Sequence, residues 1–367
     1  MKKNKTVRDI RIGRLPTGAL NAISDVEGVL VGHKTIIRGE GKPGVTEGVA
    51  RTGVSMIFPH RDIWAKPVYA GTSVLNGNGE MTGSTWIEEA GLLTTPVGLT
   101  NTHSVGVVRD AMIKYRKKNN PSLDWMLPVV AETWDGYLSD INGMHVRKED
   151  VFESLDTAKG GPVEQGNVGG GTGMVCFEFK GGIGSSSRLL KIDERPYVLG
   201  VLAQANFGAR YQFMLKGFPV GRLIDTEEVP GRNTPTPAGD TGSVIVVIAT
   251  DVPLLPHQCK RLARRASLGL GMMGSVGANS SGDIFLAFST GNICDGFFEE
   301  EGSSVRRVDT VKPEAMSLLF EAAVEAVQES IFNALGAAET MTGIDGRTVH
   351  ALPMDRVKTI ISGREFG

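Results

Sequence analysis

The stretch TGSVIVVIATD, residues 241–251, sets a glycine, a hydroxyl and a buried strand in direct succession. From Val244 to Ile248 every residue is β-branched and no polar residue alternates with them. A run of that kind reads as a strand covered on both faces. Just upstream, DTEEVPGRNTPTPAGDTG (225–242) holds Pro, Thr, Gly and Asp with no apolar period, so it reads as an exposed linker.

Working outward, GVSMIFP (53–59), LPVVAE (127–132), YVLGVLAQAN (197–206) and DIFLAFST (283–290) read as further strands. TWIEEAG, within a Gly-rich neighbourhood that includes NGNGEMTGS (76–84), reads as a short helical piece. Val105, Val108, Met112 and Tyr115 recur at helical spacing after Asn101-Thr102-His103-Ser104. Residues 256–271 read as one helix with a basic outer face. The clearest helix opens at Pro313 and Glu314, carries Leu319, Ala323, Val327 and Ile331 on one side, and can close at Gly336. The expectation is a mixed α and β protein with helices covering sheets.

Composition narrows the function. Of 367 residues 48 are glycine without a period of three, which excludes collagen, and 41% are hydrophobic, which excludes general disorder. A net charge of −2 leaves no footprint for nucleic acid or an anionic membrane surface. No run of about 18 apolar residues predicts a membrane span. Cys176, Cys259 and Cys294 are few and far apart, which suits a reducing compartment. The N-terminal lysines are not followed by an apolar stretch, so a cytoplasmic location is expected.

Gly242-Ser243 admits two readings. One is a turn residue capping a strand. The other is a self-cleaving nucleophile: glycine leaves its carbonyl unshielded, the Ser243 hydroxyl attacks it, and the acyl group moves from N to O. The α-amine so released has a pKa of about 7.7–8.0 and serves as its own general base near neutrality. Ser281 and Asp283, in Asn279-Ser280-Ser281-Gly282-Asp283, stand at the head of a second strand, and Ser281 follows Ser243 by 38 residues. A strand, a helix and a return strand fit that interval, so the two strand heads lie side by side if both run the same way. GGGTG (169–173) lacks the Lys-Ser/Thr of a phosphate loop and reads as a packed turn. Six scattered histidines form no metal-binding spacing.

These residues, together with MTGSTWIEEAGLLTTPVGLTNTHSVG (81–106), VVAETWDGYLSDING (129–143), GNVGGGTGM (166–174), GVLAQANFG (200–208), SSGDIFLAFSTGN (280–292) and AAETMTG (337–343), resemble the DmpA-type aminopeptidases. These are also called L-aminopeptidase/D-esterases and include the β-peptidyl aminopeptidases. The resemblance implies an α+β fold, a stacked αββα sandwich like that of N-terminal nucleophile hydrolases but with different connectivity. It implies a single domain over 1–367, self-cleaved between Gly242 and Ser243 into 1–242 and 243–367, and a homo-oligomer of four such αβ units. No metal or organic cofactor is implied, and the substrates are small peptides, amides or esters.

By the same resemblance Ser243 is the nucleophile, Ser281 and Asp283 orient and polarise it and its amine, and Asn206 is the oxyanion-hole donor. Glu132 holds the substrate ammonium, and Tyr137 orients substrate or donates to the tetrahedral oxygen. Some relatives carry Glu at the place of Asp283. The alternatives are an acyltransferase of ornithine acetyltransferase type, against which the serine weighs because those enzymes use threonine, an unprocessed small-ligand binding protein, and a phosphate-ligand binder.

Overall fold

The computed structural model describes residues 10–121, 125–231, 242–294 and 305–363. A four-stranded sheet takes β1 (Leu30–Arg38), β2 (Ala50–Phe58), β5 (Val97–Asn101) and β6 (Val129–Thr133) in the order β1-β2-β5-β6. A six-stranded sheet runs β4-β3-β12-β11-β10-β9, with β3 at Val68–Gly77, β4 at Leu92–Leu93, β9 at Gly182–Ile192, β10 at Arg195–Asn206, β11 at Ser243–Thr250 and β12 at Gly282–Ile293. A small hairpin, β7 (Val175–Cys176) and β8 (Phe179–Lys180), stands beside them. The helices are α1 (Ser84–Ala90), α2 (Val105–Asn119), α3 (Lys148–Asp156), α4 (Pro256–Ala263), α5 (Ala266–Met272) and α6 (Met316–Ala337). Of the linker, only 225–231 and Gly242 lie among the described residues.

The β-branched run is β11, and all eight of its residues are buried. Val244, Val246 and Ile248 pack with residues of α4, α5 and α6. Ile245, Val247 and Ala249 pack with the four-stranded sheet and its covering helices α2 and α3. Alternation along one strand therefore builds both cores of a helix–sheet–sheet–helix stack. The strand heads lie side by side, as the spacing allows for strands that run the same way. β11 and β12 run parallel, with Ser243 opposite Gly282 and Val244 opposite Asp283.

α6 lies so close on β9 that a Cβ at Gly184 would sit 1.8 Å from the Ser330 carbonyl. The small residues of GIGSSS make that approach possible, and Ser186 Oγ donates to the Ala326 carbonyl at 2.6 Å. Arg188, fully buried on β9, pairs with Glu325 at 3.0 Å and Glu329 at 2.7 Å on α6. Breaking such a buried pair from one side costs about 3–5 kcal/mol.

Two helix expectations change. Residues 256–271 form two helices separated at Arg264 and Arg265, because α4 packs on β3 while α5 packs on α6. α6 runs through Gly336 to Ala337, with Ala338 as its cap. GGGTG is a packed turn, as expected. Its first four N–H groups bond Thr35 Oγ1 (2.9 Å), Ser55 Oγ (3.1 Å), the Val168 carbonyl (2.9 Å) and the Gly169 carbonyl (3.2 Å), so none of these four is left for a phosphate. No helix among the described residues is long and apolar enough to cross a membrane.

Candidate active site

Ser243 opens β11 and is 3% exposed. It shares the parity of Ile245 and Val247, so its side chain faces the four-stranded sheet. There its Oγ accepts two hydrogen bonds at 3.2 Å, from the backbone N–H of Trp134 and from Asn206 Nδ2. Asn206 ends β10 directly opposite Ser243 in the antiparallel ladder. Trp134 follows the last residue of β6. The two donors thus come from opposite sheets and converge on one point.

The amide of Asn206 is fixed on every side. Its Nδ2 also donates to the Trp134 carbonyl at 2.9 Å, and its Oδ1 accepts the Val175 N–H at 2.8 Å. That assigns which end of the amide faces Ser243. Val175 belongs to the β7–β8 hairpin, and Lys180 closes that hairpin from within. The fully buried Lys180 Nζ donates to the carbonyls of Met174 (2.8 Å) and Gly181 (3.0 Å). Burial pulls its pKa down to about 7.

Ser281 and Asp283 form a second group at the head of β12. Ser281 Oγ donates to Asp283 Oδ1 at 2.6 Å, and Asn76 Nδ2 donates to Asp283 Oδ2 at 3.0 Å. Burial raises the Asp283 pKa, while the bonds from Ser281 and Asn76 pull the other way. The shorter aspartate arm is sufficient to reach Ser281. Among the described residues neither Ser281 nor Asp283 bonds Ser243. The two groups are joined through the backbone, where Gly282 N–H donates to the Gly242 carbonyl at 3.1 Å.

Glu132, on β6 two residues before Trp134, is 3% exposed. Its Oε1 accepts the Glu80 N–H at 3.0 Å, and its Oε2 accepts the Thr102 hydroxyl. Burial raises its pKa above the ordinary carboxyl range. Each oxygen retains a lone pair for a further donor. Tyr137 lies apart, in a small cluster with Leu138, Val175 and Val349, under the Arg347 guanidinium at 5.5 Å. It is connected to the surroundings of Ser243 through Val175, whose N–H donates to Asn206.

The loop 76–80 was readable only as Gly-rich turns, yet it straps the site together. Asn78 Nδ2 donates to the Ser280 carbonyl at 2.6 Å, Asn76 holds Asp283, and Glu80 N–H holds Glu132. A Cβ at Gly79 would lie 3.2 Å from both Glu132 Oε1 and Gly282 Cα. Trp134 carries no signal in the sequence because it reaches Ser243 through its backbone N–H. Its ring folds against Gly136, where a Cβ would come within 2.7 Å of the indole. Among the described residues no group of three or more His, Cys, Asp or Glu is placed to hold a metal ion.

The sequence profile described as peptidase family S58 matches residues 21–349. The β-peptidyl aminopeptidase BapA of Sphingosinicella microcystinivorans is 48% identical over 353 residues, which is 94% of this chain and 88% of that protein. BapA of Sphingosinicella xenopeptidilytica is 42% identical, over 95% of this chain and 88% of its own. Among solved structures, the L-aminopeptidase D-Ala-esterase/amidase of Ochrobactrum anthropi superposes with a TM-score of 0.87 at 43% identity, covering 98% of each chain. It is described as a prototype for the serine aminopeptidases and a variant of the Ntn hydrolase fold. A Burkholderia β-aminopeptidase gives a TM-score of 0.87 at 45% identity, covering 100% of this chain and 99% of its own. These likenesses favour aminopeptidase chemistry over the acyltransferase and the unprocessed binding protein.

Proposed function

The chain belongs to peptidase family S58, and on that premise we propose that it is a self-processing serine aminopeptidase acting on short peptides, amides and esters with a free N-terminal amine. The observation that carries the reading is the placement of Ser243. It follows Gly242 at the head of a buried strand, with two N–H donors from separate sheets converging on its hydroxyl.

Cleavage between Gly242 and Ser243 frees the Ser243 amine. As a neutral amine it takes the proton from Oγ, which attacks the substrate carbonyl. The oxygen of the tetrahedral intermediate takes up the Trp134 N–H and the Asn206 amide, donors of a type worth roughly 3–4 kcal/mol each. The amine's proton passes to the departing amine, and water then hydrolyses the ester left on Oγ. Ser281, whose hydroxyl hydrogen is committed to Asp283, keeps its lone pairs to accept from the Ser243 amine. Asp283 favours the protonated amine by its charge. Glu132 holds the substrate ammonium through a charge-assisted bond, and Tyr137, packed beside Val175, orients the substrate. We place four αβ units in the working assembly, and the three cysteines, which form no disulfide, suit a cytoplasmic location.

The test is hydrolysis of L-alanyl and β-homoalanyl p-nitroanilides against their N-acetylated forms. Acetylation is expected to lower kcat/KM by about 10²-fold or more, since it removes the charge that Glu132 receives. Equal rates for free and acetylated substrates would contradict the aminopeptidase reading.

A further inference from the structure

Self-cleavage needs an electrophilic carbonyl as well as a nucleophile, and the donors around Ser243 do not supply it. Trp134 N–H and Asn206 Nδ2 both point at Ser243 Oγ, the attacking atom. The carbonyl to be broken, that of Gly242, accepts instead the backbone N–H of Gly282 at 3.1 Å. We propose that this Gly282 N–H is the oxyanion donor for self-cleavage, separate from the Trp134 and Asn206 pair that serves substrates. The proposal rests on the self-processing reading above.

The stereochemistry fits. The bond from Gly282 belongs to the parallel β11–β12 ladder, so it meets the Gly242 oxygen in the plane of the sheet. The Ser243 side chain stands out of that plane, on the side of the four-stranded sheet. Attack from that face pyramidalises the carbon while the in-plane donor stays on the oxygen. Oγ passes its proton to a water as it bonds the Gly242 carbon, the C=O π pair moves onto the oxygen beside Gly282 N–H, and the same water returns the proton to the Ser243 nitrogen. Collapse breaks the bond to that nitrogen and leaves an ester on Oγ. Water then cleaves the ester, giving the Gly242 carboxylate and restoring the hydroxyl.

The donor is held before reaction begins. A Cβ at position 282 would lie 2.3 Å from the Asn78 carbonyl and 2.9 Å from Gly79 Cα, so the 78–79 loop lies directly on Gly282. Asn78 and Asn76 latch that loop to the carbonyls of Ser280 (2.6 Å) and Ala278 (3.1 Å), on the segment that leads into Gly282. The N–H therefore cannot turn away from Gly242 without moving both segments.

The experiment replaces Gly282 by glycolic acid in the full chain, made by cell-free translation, so that the N–H becomes an ester oxygen with no added side chain. The uncut fraction is followed in time by mass under denaturing conditions. Cutting is expected to slow on the order of 10²-fold. A backbone ester at Ile284, further along the same ladder, should cut within a few fold of wild type. An ester at 282 that cuts as fast as wild type, or no slower than the one at 284, overturns the proposal. The Ile284 ester controls for the loss of a ladder bond, and Asn206→Ala tests the division of donors from the other side. It should still be cut while hydrolysing substrate poorly, and an uncut Asn206→Ala chain would overturn the division between the two donor sets. A wild type that never cuts would instead remove the self-processing reading itself, which sets the two failures apart.

Discussion

Asn206→Ala is the substitution whose consequences the geometry constrains most. The native amide makes three bonds: 3.2 Å to Ser243 Oγ, 2.9 Å to the Trp134 carbonyl and 2.8 Å from the Val175 N–H. On the proposed mechanism alanine removes one of two oxyanion donors and leaves Trp134 N–H alone. Losing one such donor lowers kcat by about 10²–10³, or ~2.7–4 kcal/mol. KM should move little, because the donor strengthens its bond only as the substrate oxygen gains charge. The Trp134 carbonyl and the Val175 N–H lose a partner as well, at about 1–3 kcal/mol for each group left buried and unsatisfied. The variant should therefore melt earlier and still be folded at assay temperature. The assay is steady-state hydrolysis of L-alanyl p-nitroanilide by the cut variant, with a thermal melt alongside. A kcat within threefold of wild type, or a loss carried wholly by KM, would refute the oxyanion assignment.

Glu132→Gln should raise KM far more than it lowers kcat. Burial raises the Glu132 pKa, so in the wild type the carboxylate, present above that pKa, is lost on acidification at a higher pH than free glutamate. KM should climb along that acid limb, and a glutamine variant that keeps the limb would show that another group causes it. Lys180 should leave a mark on stability. Its pKa is about 7 folded against about 10.4 unfolded. Between those values only the unfolded chain holds the proton, so stability rises with pH by up to about 1.4 kcal/mol per unit. Denaturant unfolding of Lys180→Met, in an uncut Ser243→Ala background, should lack that slope, and a stability difference that stays flat from pH 7 to 10 would contradict it.

The sequence showed most where side chains carry the signal. The β-branched run gave the doubly covered strand, and the 38-residue interval allowed the heads of β11 and β12 to lie side by side if parallel, as they are. The site was less legible where backbone does the work. Trp134 contributes an N–H that any non-proline residue would offer, and Gly282 contributes another. The 76–80 loop reads as turns because its asparagines find their partners about 200 residues away, at Ser280 and Asp283. The break at Arg264 was invisible for a related reason, since the local pattern favours a helix on both sides and only the docking of α4 and α5 on different partners separates them.

The central claim is that Ser243 cuts its own chain and then works from the new N-terminus. Its most direct test is the intact mass of wild type and of Ser243→Ala under denaturing conditions. Two fragments parted between Gly242 and Ser243 in wild type, with one whole chain in Ser243→Ala, is the expected result. A single full-length mass in both, or the same two fragments in both, would contradict it.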